Sequence, residues 1–78
     1  MKKELYLTVT AYSTAEFEDI CAIVKDWTHK PIVKFEYHRY ESISQVVAIS
    51  TDFVEITNMY HMLRLKTDAE LCLRNYRV

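Results

Sequence analysis

Glycine is absent from all 78 residues of this chain. Average usage of about 7% would give about five or six in a chain of this length. The absence removes every function class that needs glycine at fixed places. A Walker phosphate loop, a dinucleotide-binding fingerprint and the nucleophile elbow of hydrolases are all excluded. Proline occurs once, at Pro31, and cysteine twice, at Cys21 and Cys72, too few for a disulfide scaffold. Neither charge dominates: ten Lys and Arg face eleven Asp and Glu, for a net charge of -1. Tight non-specific DNA binding needs a basic stripe and DNA mimicry needs a strongly acidic surface, and the balance supplies neither. No apolar run approaches the ~18 residues of a membrane span, and neither a signal peptide nor a lipidation motif is expected. The expected location is the cytoplasm, with no membrane partner and with both cysteines reduced as small buried hydrophobes.

What is present is an ordinary globular composition: 50% hydrophobic, 27% charged and 13% aromatic. One domain over residues 1–78 is expected. Surface scaling gives roughly 13,500 Å² for the unfolded chain and roughly 5,000 Å² for the folded one. That burial is marginal for a lone monomer, so a partner or a second copy would add stability.

Leu5, Leu7, Val9 and Ala11 alternate with Tyr6, Thr8, Thr10 and Tyr12, which predicts a strand with its Leu/Val/Ala face buried. Ser13 and Glu16 have capping-box spacing, Tyr12 and Phe17 that of a hydrophobic staple. Phe17, Ile20, Cys21, Val24 and Trp27 then recur as one apolar helical face, so a helix is predicted over 14–28. His29-Lys30-Pro31 stops it, because the residue before proline avoids helical angles. Ile32 to Tyr40 alternates again, with Val33, Phe35 and Tyr37 on one face and Lys34, Glu36 and His38 on the other. A turn at Glu41-Ser42 leads into a third strand, Ile43 to Ser50, with Val47 and Ile49 expected inward. Without glycine a tight primed turn is disfavoured, so a longer hairpin loop is expected. Asp52 and Glu55 open a second helix, Phe53 to Lys66, with Ile56, Met59, Tyr60 and Leu63 as its core stripe. Residues 67–78 read in two ways. Leu71 and Leu73 alternate as in a strand, while Thr67 and Glu70 could cap a short helix.

The order strand, helix, strand, strand, helix, strand is the ferredoxin-like α+β arrangement, a four-stranded antiparallel sheet with both helices on one face. The strand Ile32–Tyr40 should be a sheet edge, with Lys34, Glu36, His38 and Arg39 discouraging unwanted pairing. The uncovered face would carry Tyr6, Thr8, Thr10, Lys34, Glu36, His38, Val46, Ala48, Arg74 and Tyr76, with Tyr40 at its border. Aromatic and Arg side chains are favoured at binding hot spots.

With this element order, Leu5-Tyr6-Leu7-Thr8-Val9 resembles the first-strand motif of RNA recognition motif domains over a chain of similar length. The resemblance implies single-stranded RNA binding, with Tyr6 as a base-stacking residue. Gln45-Val46-Val47-Ala48-Ile49 stands where that family's third-strand motif needs glycine and two aromatics, and it has none, so only Tyr6 carries over.

A second unusual surface is the second helix. Val54, His61, Met62 and Leu65 lie off its core stripe, so it is apolar more than halfway round. Such a stripe either rims the core or forms an interaction patch, and Met adapts well to varied partners.

No catalytic constellation emerges. Cys21, His29, His38, His61 and Cys72 lack the spacings of a metal site, so neither metal nor cofactor is expected. Cys21 sits on an apolar helix face where a thiolate is disfavoured. Ala11-Tyr12-Ser13-Thr14 lacks the glycine and arginine of an acylphosphatase anion loop. The expectation is therefore a small non-enzymatic protein-binding module. Short, tyrosine-rich and aliphatic, the chain is similar to accessory inhibitors that bacteriophages make against host defence or host enzymes. That likeness implies an inhibitor or modulator of a larger protein in the host cytoplasm. Its contacts would be Tyr6, His38, Tyr40, Arg74 and Tyr76 on the sheet, or His61, Met62 and Leu65 on the helix. RNA binding through the sheet and a homodimeric small-ligand sensor are the alternatives.

Overall fold

The computed structural model describes residues 3–28 and 31–77, the side chains of residues 76 and 77 excepted. The elements are β1 (Lys3–Ala11), α1 (Thr14–Thr28), β2 (Lys34–Arg39), β3 (Ser44–Ser50), α2 (Phe53–Lys66) and β4 (Glu70–Arg77). The sheet is antiparallel throughout, in the order β2-β3-β1-β4. The arrangement is ferredoxin-like, and β2 is an edge strand, as that topology predicted.

The helix starts are fixed by side chains, as a chain without glycine requires. The Glu16 N–H donates to Ser13 Oγ at 3.1 Å. Glu16 reaches back one residue beyond the usual capping box, its Oε1 accepting from the Tyr12 N–H at 3.0 Å. At α2 the Glu55 N–H donates to Asp52 Oδ1 at 3.1 Å. The Ser50 hydroxyl joins three segments: it donates to the Ile32 carbonyl at 2.7 Å and accepts from the Asp52 N–H at 2.9 Å. The stop predicted at His29-Lys30 lies outside the described residues, and α1 ends at Thr28. The β2–β3 hairpin pairs Arg39 with Ser44 across a loop closed by the Tyr40 N–H on the Ile43 carbonyl, 2.8 Å. No described residue has positive φ, so the loop is not a primed two-residue turn.

Residues 70–77 form the strand and not the alternative helix. Thr67, read as a helix opener, closes α2: its N–H and its hydroxyl both donate to the Leu63 carbonyl, at 2.9 Å each. β4 then covers the free edge of β1, from Lys3↔Arg77 to Thr10↔Glu70.

The core lies between sheet and helices. Leu5, Leu7, Val9 and Ala11 of β1 meet Ile20, Val24 and Trp27 of α1 and Ile56, Met59 and Leu63 of α2. The expected inward face of β3 is reversed. Pairing sets Ala48 opposite Leu7 and Val46 opposite Val9, so Val46 and Ala48 face the helices. Val47 and Ile49 stand on the open face beside Thr8 and Tyr6. Both are nonetheless buried, at 8% and 5% exposure, because polar neighbours on β1 and β2 close over them. Tyr37 keeps its expected face but is 53% exposed, since an edge strand is only partly covered by α1.

Candidate functional site

The register lays out the open face as three rows crossing β2, β3, β1 and β4 in turn. Lys34, Ile49, Tyr6 and Arg74 make one; Glu36, Val47, Thr8 and Cys72 the second; His38, Gln45, Thr10 and Glu70 the third. Between β1 and β4 lies a shallow depression of about 430 Å³, lined by Tyr6, Thr8, Thr10, Gln45, Glu70, Cys72 and Arg74. Its polar groups bond to one another: Arg74 Nε donates to Cys72 Sγ at 3.3 Å, and Gln45 Nε2 to Thr10 Oγ1 at 3.2 Å. On β2, Glu36 lies 3.8 Å from Lys34 Nζ and 3.4 Å from His38 Nε2.

Of the residues expected here, Tyr6 and Arg74 are direct cross-strand partners. His38 stacks on Tyr40 at the opposite corner, ring centroids 6.5 Å apart. The spacings of a sheet put that corner roughly 20 Å from Arg74, so the two pairs do not form one pocket. Tyr76 pairs with Glu4 through its backbone, and its side chain lies outside the described residues. Val46 and Ala48, expected on this face, belong to the core.

Tyr12 continues the parity of Tyr6, Thr8 and Thr10, as the alternation of β1 predicts. It is 60% exposed and its hydroxyl donates to Glu70 Oε2, a partner that the sequence pattern does not point to. The hydrogen bond to the Glu70 carboxylate holds the Tyr12 hydroxyl above its ordinary ionisation range, with burial and the charges of Glu70 and Glu16 adding to it. A raised tyrosine favours the neutral hydroxyl when folded. Its contribution is present below the unfolded value and is lost as pH rises through the folded one. An ultraviolet difference titration should place Tyr12 above an ordinary tyrosine, and Glu70→Gln should bring it down. An unchanged titration in Glu70→Gln would show that the bond is not formed in solution.

The α2 candidates sit in the other layer, away from the sheet face. Ile56, Met59 and Leu63 turn into the core, which directs Val54, Asn58, His61 and Leu65 to solvent. Val54 is 68% exposed and Leu65 85%, with Met62 and Phe53 exposed beside them. Phe53, Val54, Thr57 and Asn58 line a shallow, mainly apolar hollow of about 250 Å³ at the start of the helix. The last turn of the helix is basic, with Arg64 and Lys66. Glu55 turns away, its Oε2 accepting from Trp27 Nε1 at 2.8 Å.

Burial raises the Cys21 thiol, with Glu18 adding to it, so at neutral pH it is a protonated thiol and a poor nucleophile. Among the described residues no three His, Cys, Asp or Glu side chains are grouped to hold a metal ion. No helix among them is long and apolar enough to cross a membrane.

No protein-family model matches the chain, and no curated protein matches it. Solved structures do. The uncharacterized protein TM1266 from Thermotoga maritima superposes with a TM-score of 0.71 at 10% identity, covering 99% of this chain and 100% of its own. MupZ from Pseudomonas fluorescens gives a TM-score of 0.60 at 7% identity, covering 96% of this chain and 71% of its own. The de novo designed protein Foldit4 gives 0.55 at 15% identity, covering 100% of this chain and 99% of its own. At these identities the likeness carries the fold alone.

Proposed function

We propose that this chain is a small non-enzymatic protein-binding module that inhibits or modulates a larger protein by covering part of its surface, with the outer face of α2 as the docking face. The observation that carries this reading is Leu65, 85% exposed on the side of α2 opposite its core stripe, with Val54 also bare. Solvent-facing leucine and valine add nothing to the core. In a partner's groove each contributes roughly 1.5–3 kcal/mol through burial. Met62 adds an adaptable neighbour, and His61 stands between Val54 and Leu65 on the same side of the helix. The open sheet face supports this reading less well, because its aliphatic centre is already closed over by polar side chains. The bacteriophage accessory role remains part of the proposal and points to a host lysate as the place to find the partner.

The test is affinity capture from bacterial lysate with the wild-type chain and with a Val54→Glu, Leu65→Glu double variant. Both positions are exposed, so the variant should fold as the wild type does, by far-ultraviolet circular dichroism. It should lose a co-purifying protein by at least about a hundred-fold, two buried aliphatic anchors being worth that much. Equal capture by both proteins would remove α2 from the interface. Binding of a mixed single-stranded RNA pool, weakened by salt and by Tyr6→Ala, would favour the RNA reading instead.

A further inference from the structure

We propose that the open sheet face is a self-association surface, on which a second copy packs face to face about a two-fold axis running across the strands through the row Glu36, Val47, Thr8 and Cys72. An isologous interface must complement itself, and the charges of this face are arranged to do so. Arg74 stands at one end of β4 and Glu70 at the other, two register steps on either side of Cys72. An axis across the strands exchanges the two ends, so Arg74 of one copy faces Glu70 of the next, twice in each dimer. The same operation sets Tyr6 over Thr10, Ile49 over Gln45 and Lys34 over His38. An axis along the strands would instead place Lys34 on Arg74, two like charges, and His38 on Glu70; only the first axis pairs the permanently charged Arg74 with a carboxylate, and the pattern favours it. Glu36 meets its own copy near the axis, but each Glu36 already lies between its own Lys34 and His38.

The area fits a weak dimer. Four strands about 4.8 Å apart and roughly 20 Å long present about 400 Å² in projection. Side-chain relief brings the total buried to roughly 1,000 Å², the lower bound for a specific interface. Packing sheet to sheet leaves both helix layers outward, so a dimer would offer two α2 faces to a larger protein. This goes beyond the docking role of α2 and does not depend on it.

Sedimentation velocity over a concentration series should show one copy passing to two, with association weakening as salt rises. Arg74→Glu and Glu70→Arg should each weaken association about ten-fold or more, and the combined charge swap should restore it. Leu65→Glu should leave it unchanged. In a Cys21→Ser background, a short bismaleimide should link Cys72 to Cys72 of the second copy. A monomer at every concentration would overturn the proposal, as would a dimer indifferent to Arg74→Glu. A dimer broken by Leu65→Glu would move self-association to the helix layer, which also overturns it.

Discussion

Replacing Trp27 by alanine should cost about 3–5 kcal/mol, the range for removing a buried large aromatic. A domain of this length holds roughly 4–12 kcal/mol in total, so the variant should be largely unfolded or melt some 15 °C or more below the wild type. The ring is 8% exposed at the end of α1, packed in the core cluster. Its Nε1 donates to Glu55 Oε2 at 2.8 Å, tying the end of α1 to the start of α2. Two effects therefore add: a cavity between helix and sheet, and the loss of a donor to a half-buried carboxylate. Trp27→Phe separates them. It keeps most of the apolar volume and removes the donor, so about 1–3 kcal/mol should be lost. Glu55→Gln retains an acceptor for the indole and should cost less. Trp27 is the one tryptophan of the chain, so unfolding should be followed by circular dichroism in urea. A loss under about 1 kcal/mol in Trp27→Ala would show that the two helices are not joined this way in solution.

Much of the fold could be read because caps and alternation are strong where glycine is absent. Ser13 and Asp52 fix the helix starts, and β1, β2 and β4 each alternate an apolar with a polar face. β3 does not alternate. In Val46-Val47-Ala48-Ile49 every residue is apolar, and each is 8% exposed or less. A central strand flanked on both sides is shielded on its open face as well, so hydrophobicity carries no information about direction there. Only the register with β1, Leu7 opposite Ala48, decides it. Residues 67–78 were ambiguous because Thr67 and Glu70 look like a cap in isolation. Thr67 is already engaged by Leu63, and the edge of β1 needs a strand. The partner of Tyr12, Glu70, was not legible because it lies 58 residues away, a contact that no short-range pattern encodes. The surface residues were less legible for a related reason. Their roles depend on which neighbours cover them, and that follows from the register and the sheet order.

The reversed face of β3 leads to the sharpest contrast available in this protein. Lysine placed at Val46 should leave the chain unfolded, whereas lysine at the adjacent Val47 should cost about 1 kcal/mol. Val46 is 1% exposed among Val9 and the core residues of the two helices. An ammonium there would sit among the apolar side chains of the core cluster. Burying an unpaired charge costs several kcal/mol even after the site relaxes, comparable with the whole stability of a small domain. At Val47 the side chain points to the open face, directly across from Glu36. A lysine stem can cover the same neighbours while its head reaches solvent beside that carboxylate. The comparison should be made in dilute solution, where association through the sheet is negligible, with urea unfolding and circular dichroism as the readout. Had Val47 and Ile49 been the inward residues, the assignment expected from the sequence, the two outcomes would be exchanged. A folded Val46→Lys beside an unfolded Val47→Lys would therefore overturn the register of β3, and with it the three rows of the open face.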